Sequence, residues 1–284
     1  DRSVSRGLGD VYKRHIFCIF CISISFNVCA GDIIKAYGNI HVKDTANMSI
    51  VYVHVAIDPV TEQRKVKYEL LSFGNNLILY GGYGDYQMDS LYMGNPDLRD
   101  LPLEERMNLR RKFEPITNHM LTDRESGDLY FYGHIPINYY RYTEPIPKIG
   151  WILSEETEEI MGHECHKATT KWRGRDWTAW YSDIPIDAGP WKFQGLPGII
   201  LKLEDSTGQH YFEAIGTKND SYPIGYHDHL YSRSTREKFN ALLKHASEHW
   251  GSDMVDSGMI IPQSEEEEQM LRSRRRFYSP IELE

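Results

Sequence analysis

Three short stretches bring metal-ligating or nucleophilic side chains together. "HASEH", His245 to His249, sets two histidines four residues apart with Glu248 between them. On a helix, residues four apart share a face, so His245 and His249 could hold zinc while Glu248 activates water, the H-x-x-E-H arrangement of zinc peptidases. A third ligand must then come from another element, and Trp250-Gly251 stops the helix at once. A solvated helix face is the competing reading. "HECH", His163 to His166, puts His163 and Cys165 on one face of a strand and Glu164 and His166 on the other. "HDH", His227 to His229, pairs two imidazoles in the same way. A thiolate with imidazoles suits zinc or copper, but no spacing ties the two stretches into one site. The chain has no G-x-S-x-G elbow, no Ser-x-x-Lys and no Cys with an obvious His partner, so no complete nucleophilic pattern emerges.

The other concentration of chemistry is aromatic. Trp172, Trp177, Trp180, Tyr181, Trp191 and Phe193 fall within one stretch, which reads either as core or as the wall of a groove for an apolar or sugar-like ligand. "GPWKFQGLPGIILKLED", Gly189 to Asp205, completes it. Its glycines lack the G-x-G-x-x-G spacing and the Lys-Ser/Thr ending of a phosphate loop, and Pro190 and Pro197 remove donors such a loop needs. The stretch reads instead as a crossover: Leu196-Pro197 is pre-extended, and Gly198 supplies either a positive φ or a close backbone approach as the next strand begins. Candidate binding residues are therefore Trp177, Trp180, Trp191 and Phe193, with Gly195, Pro197 and Gly198 of the loop. The alternative metal pair is His245 and His249. No cofactor is implied.

The elements that must carry these residues are mostly strands. Ile50–Ile57 alternates Ile50, Tyr52, His54 and Ala56 against Val51, Val53, Val55 and Ile57, as a strand does. Similar runs occur at Val66–Phe73, Leu77–Tyr80, Tyr130–Tyr132, Ile149–Leu153, Glu159–Trp172, Trp177–Ser182, Gly198–Leu203 and Tyr211–Ile215, punctuated by Asn75-Asn76, Gly81-Gly82, Gly174 and Ser206-Thr207-Gly208. Helices are expected at Leu103–Met120, at Thr235–Trp250 with Ser234 as N-cap and Glu237 at the capping-box position, and at Glu265–Phe277. Runs of strands with few helices predict an α+β, mainly antiparallel fold: a single curved meander sheet, half-barrel-like, with two or three helices. No linker or repeat divides the chain, so residues 31–284 read as one domain.

Lys13-Arg14 precede an apolar run from Ile16 to Ala30, and Val28-Cys29-Ala30 fits a cleavage site, so residues 1–30 read as a signal peptide. The first ten residues read as an upstream extension. The run of about fifteen residues falls short of the ~20 a membrane span needs, and no later stretch is apolar enough. Three of the four cysteines lie in this segment, which leaves Cys165 alone in the exported chain. Removing residues 1–30 takes away four basic and two acidic side chains and moves the net charge from −9 to −11. An acidic chain whose candidate basic face is the short run Arg272-Ser273-Arg274-Arg275-Arg276 is a poor fit to nucleic acid.

"GLPGIIL", Gly195 to Leu201, resembles the signature of the GLPGLI family of exported Bacteroidota proteins, with Ile199 where that name has Leu. "YRYTEPIP" (Tyr140–Pro147), "HECHKAT" (His163–Thr169), "RGRDWTAWYSDIPIDAGPWKF" (Arg173–Phe193) and "YSPIELE" (Tyr278–Glu284) resemble it too, and "SFGNNLILYGGYGDYQMDSL" (Ser72–Leu91) more loosely. The resemblance implies export, a periplasmic or cell-envelope location and a β-rich domain. It implies no catalytic residues. The expected function is thus a non-enzymatic binding or accessory component, with an apolar or peptide-like ligand or an envelope protein as partner. The rival is a secreted zinc-dependent hydrolase using His245, Glu248 and His249.

Overall fold

The structure, a computed structural model, describes residues 32–35, 38–113, 118–135, 138–227 and 231–284; the expected signal peptide lies outside them. In chain order the strands begin with β1 (Asp32–Lys35) and β2 (Gly38–Ala46). A first meander follows: β3 (Met48–Ile57), β4 (Arg64–Phe73), β5 (Leu77–Gly82), β6 (Asn118–Asp123), β7 (Asp128–Ile135) and β8 (Asn138–Pro145). A second comprises β9 (Ile152–Ile160), β10 (His163–Trp172), β11 (Arg175–Ser182), β12 (Ile200–Asp205) and β13 (His210–Lys218). The last two strands are β14 (Tyr222–His227) and β15 (Ser232–Arg233).

The meanders join because β13 pairs with β3, giving one twelve-stranded sheet in the order β15-β8-β7-β6-β5-β4-β3-β13-β12-β11-β10-β9. Every pairing in it is antiparallel except the two-residue contact of β15 with β8. The end strands β9 and β15 do not pair with one another, so the sheet is open. The expectation of a single sheet needs correction: β1, β2 and β14 form a second, three-stranded sheet. Its Ala46, Tyr222 and Ile224 pack with Val51 and Leu70 of the large sheet.

Among the described residues the helices are α1 (Tyr83–Gly94), α2 (Leu103–Arg110), α3 (Arg236–Glu248), α4 (Trp250–Asp256) and α5 (Glu265–Arg272), more than the two or three expected. Amphipathicity does not betray α1, because one of its inward groups is polar: buried Asp89 accepts a hydrogen bond from the Tyr222 hydroxyl. The helix expected over Leu103–Met120 stops at Arg110, and Asn118–Asp123 is strand β6, with Met120 and Leu121 buried on its opposite faces. The expected strand Glu159–Trp172 is a hairpin. Met161 (φ 53°) and Gly162 (φ 80°) form a two-residue turn with both φ positive, the geometry that matches strand twist. The α3 cap is Thr235, one residue after Ser234, and its side chain accepts from the Lys238 N–H at 3.2 Å.

Three apolar clusters fill the molecule. One lies between the large sheet, the Ile184–Trp191 crossover and α3, around Tyr52, Leu71, Met120, Phe131 and Phe239. A second packs Trp177, Phe193, Leu203 and Phe212 farther along the same face, where Phe212 pairs with His54 across β13 and β3. The third joins α1 to the small sheet.

Candidate functional site

The first cluster is incomplete on one side. Where α3 and the C-terminal segment cross the sheet, a cavity of about 100 Å³ remains. Its walls are aromatic: Tyr80 from β5, Phe131 from β7, Tyr142 from β8, Phe239 from α3 and Trp191 from the crossover. Strand alternation aims these rings. Leu71 and Glu69 of β4 face inward with Tyr80, as do Tyr52 and His54 of β3, so any polar residue at an inward position reaches the cavity. Trp191 is held edge-on to Tyr80 and Phe131 with φ at 58°, a conformation a bulky side chain rarely takes. Its indole N–H donates to Glu282 Oε1 at 2.9 Å, which fixes it there.

A polar chain runs under the cavity from Ser279 to Tyr80. His210 Nε2 lies 3.2 Å from the Pro280 carbonyl, which can only accept, so this nitrogen carries the proton. His210 Nδ1 then accepts from His54 Nε2 at 3.2 Å, and His54 Nδ1 meets Glu69 Oε1 at 3.1 Å. The Tyr80 hydroxyl donates to Glu69 Oε2. Burial pushes the His210 imidazole down to about 2, with the His54 and Arg175 charges adding to the effect, so it stays neutral. Burial alone would raise Glu69, but the His54 charge and the hydrogen bonds of His54 and Tyr80 outweigh it and hold the carboxyl below its usual range. Burial, reinforced by the neighbouring Glu69 charge, pushes the Tyr80 phenol well above its usual value.

This chain resembles a nucleophile relay only in composition. The Ser279 hydroxyl donates to the Ile57 carbonyl at 2.8 Å, so it can only accept from His210 Nε2–H at 3.2 Å. An activated serine needs the proton to run the other way. The neutral His210, the protonated Tyr80 and the satisfied Glu69 offer positions for hydrogen bonds and no base poised near neutral pH.

Beside the cavity lies a charge cluster. The Lys192 ammonium, fully buried, is 2.5 Å from Glu144 and 2.7 Å from Glu282. Arg173 and Arg236 each reach the same two carboxylates, at 3.4 to 3.8 Å. Phe131, Tyr142 and Trp191 face the ammonium at 5.2 to 5.8 Å from ring centre, which adds a cation–π contribution. The cluster joins the β8 end, the crossover, α3 and the C-terminal segment at one point.

Of the binding candidates from sequence, only Trp191 lines this cavity. Trp177 and Phe193 pack together at 4.7 Å in the second cluster and are 1% exposed, whereas Trp180 points to the other face between Lys167 and Lys202. The stripe is therefore not one wall, because successive inward and outward positions of β11 divide it. Gly195, at φ 94°, and Pro197 are exposed on the turn. Gly198 is buried where a Cβ would stand 1.7 Å from the Ser182 carbonyl oxygen, so the close-approach reading holds for it.

His245 on α3 and His249, the residue that caps its end, are exposed with their rings stacked at 4.2 Å, and Glu248 faces Arg275 at 3.9 Å. Among the described residues no three His, Cys, Asp or Glu side chains are grouped to hold a metal ion. Cys165 is buried, its thiol pushed up to about 11 by burial. "HECH" lies on β10 of the large sheet, whereas His227 lies on β14 of the small one, packed 4.6 Å from His119; His229 falls outside the described residues. Sequence reasoning did not single out His54, Glu69, Tyr80, Lys192 or Glu282 as site residues. A signal existed in "IVYVHVAI", where one imidazole at an inward position interrupts seven apolar or aromatic residues.

A family described as "Protein of unknown function (Porph_ging)" matches residues 172–202, from the end of β10 through the crossover into β12. No curated protein matches the chain. Among solved structures it is similar to PNGF-II in two crystal forms, with TM-scores of 0.47 and 0.46 and 13% identity in both; each match covers 72% of this chain and 34% of that one.

Proposed function

We propose that the chain is an exported, non-enzymatic binding protein of the cell envelope, of the GLPGLI type its motif resembles. The observation that carries the binding reading is the aromatic-walled cavity between sheet, α3 and C-terminal segment. About 100 Å³ is too small for a whole ligand, since pockets that enclose one run from ~300 Å³. It suits one small apolar group of a longer, peptide-like ligand. The polar groups beneath it support recognition over catalysis, because burial keeps His210 neutral and Tyr80 protonated while fixed partners keep Glu69 ionised. Export rests on Lys13-Arg14 and the apolar run to Ala30.

The binding reading is tested with doubly blocked peptides, acetyl-Gly-X-Gly amides with X varied from Ala to Phe, followed by saturation-transfer NMR. Small apolar X should bind, and Asn240→Trp, which fills the cavity from half-buried α3, should abolish it while the thermal melt stays close to wild type. Equal signals from both proteins would place binding elsewhere. Terminal sequencing of envelope-fraction protein should find a start near Gly31; residues 16–30 retained there would overturn the export proposal.

A further inference from the structure

Among the described residues, three features of the cavity have no partner at contact distance. Lys67, half-buried on β4 beside Glu69, lines it, and among the described residues no ion pair or hydrogen bond reaches its ammonium. The two carboxylates nearby are already engaged: Glu69 by His54 and Tyr80, Glu282 by Lys192, Trp191, Arg173 and Arg236. The Lys67 charge helps hold Glu69 ionised, but among the described residues no carboxylate stands within ion-pair distance of its ammonium. Asn118, at the start of β6 on the same wall, buries its Oδ1 with no donor among the described residues, and a buried acceptor without a donor is costly. The third feature is the aromatic space itself, room for one small apolar side chain.

We propose that the cavity receives the C-terminal residue of a peptide or protein chain, an assignment that rests on the binding reading above. One residue at a chain end supplies all three missing groups: a carboxylate for Lys67, the last peptide N–H for Asn118 Oδ1, and a side chain such as that of Ala or Val for the aromatic box. An internal residue brings no anion. A free alkyl carboxylate brings no N–H, and an amine would meet the Lys67 charge. Capture of a chain terminus by a fixed set of donors and acceptors is an established mode of peptide recognition.

The test is calorimetric titration of the whole protein with acetyl-Gly-Gly-Gly-Val as free acid, with the same peptide as C-terminal amide, and with isovalerate. The acid should bind at least about tenfold more tightly than the amide, the loss expected for one charge-assisted hydrogen bond. Lys67→Met should reduce the acid to the affinity of the amide and leave the amide unchanged. Equal affinities of acid and amide for the wild-type protein, which need no variant to measure, overturn the assignment and leave the binding reading standing. Isovalerate binding as tightly as the acid peptide makes the ligand a free carboxylate and also overturns it. If neither peptide binds, the assignment fails, and the blocked-peptide series with Asn240→Trp then decides the broader reading.

Discussion

At the scale of single residues, the most informative group is His210, because its hydrogen bonds fix where every proton in the buried chain sits. Its imidazole is pushed from 6.5 down to about 2, first by burial. Between those values the unfolded chain binds a proton there and the folded chain does not. Stability should therefore rise with pH from about 2 to 6.5, at up to about 1.4 kcal/mol per unit. Glu69 acts in the same direction: its lowered pKa gives stability that is present above 4.5 and lost as pH falls through the native value. Urea midpoints at about pH 7 and about pH 5 should show the decline, and His210→Gln should flatten it over that range. A decline of the same steepness in the variant would mean that another group carries the linkage. This residue-level design was only half visible in sequence. His54 stands out in its apolar strand, but its partners Glu69 and His210 lie 15 and 156 positions away, and strand register alone brings them together.

At the scale of elements, the C-terminal segment acts as a strap. The Tyr278 N–H donates to Asp58 at 2.8 Å, Arg175 donates to the carbonyls of Pro280 and Ile281, and the Leu283 N–H donates to the Arg173 carbonyl. Glu282 ties the strap to the crossover through Lys192 and Trp191. Lys192 is the closest cation to both buried carboxylates, and the guanidiniums at 3.4 to 3.8 Å replace its contacts only in part, so Lys192→Met should cost about 3–5 kcal/mol in urea unfolding. Adding Glu144→Gln should recover part of the loss. No recovery would make the effect one of packing, not charge. Much of the strand framework was legible, because alternation and turn residues mark half-buried strands directly; the Arg173-Gly174 turn between β10 and β11 is one such case. Strands β1, β2, β6, β8, β14 and β15 were not. In β14, "YPIGYH", an internal proline and glycine weaken the pattern, yet Gly225 is there because a Cβ would lie 1.9 Å from the His41 carbonyl oxygen. The strap was seen only as a resemblance in "YSPIELE", since its contacts are all with elements far away in sequence.

At the scale of the whole molecule, the β3–β13 pairing is what makes two meanders one sheet, and it connects residues more than 150 positions apart. The cavity sits close to that junction: β3, β4 and β5 supply one wall, and the crossover and strap of the later half supply the other. If the halves fold as one unit, damage to either should be felt by both. Phe131→Ala removes a ring at the centre of the first meander's core and should cost about 3–5 kcal/mol. Gly198→Ala forces a Cβ onto the Ser182 carbonyl at the edge of the second and should cost up to about 3 kcal/mol through the backbone shift it demands. Near-ultraviolet dichroism reads chiefly the tryptophans of the second meander and the crossover, whereas far-ultraviolet dichroism reads strands throughout. Each variant should move both signals together, as a single transition at lower temperature. Separation of the two signals in either variant would show two units that unfold independently, and the cavity between them would then be an interface between domains.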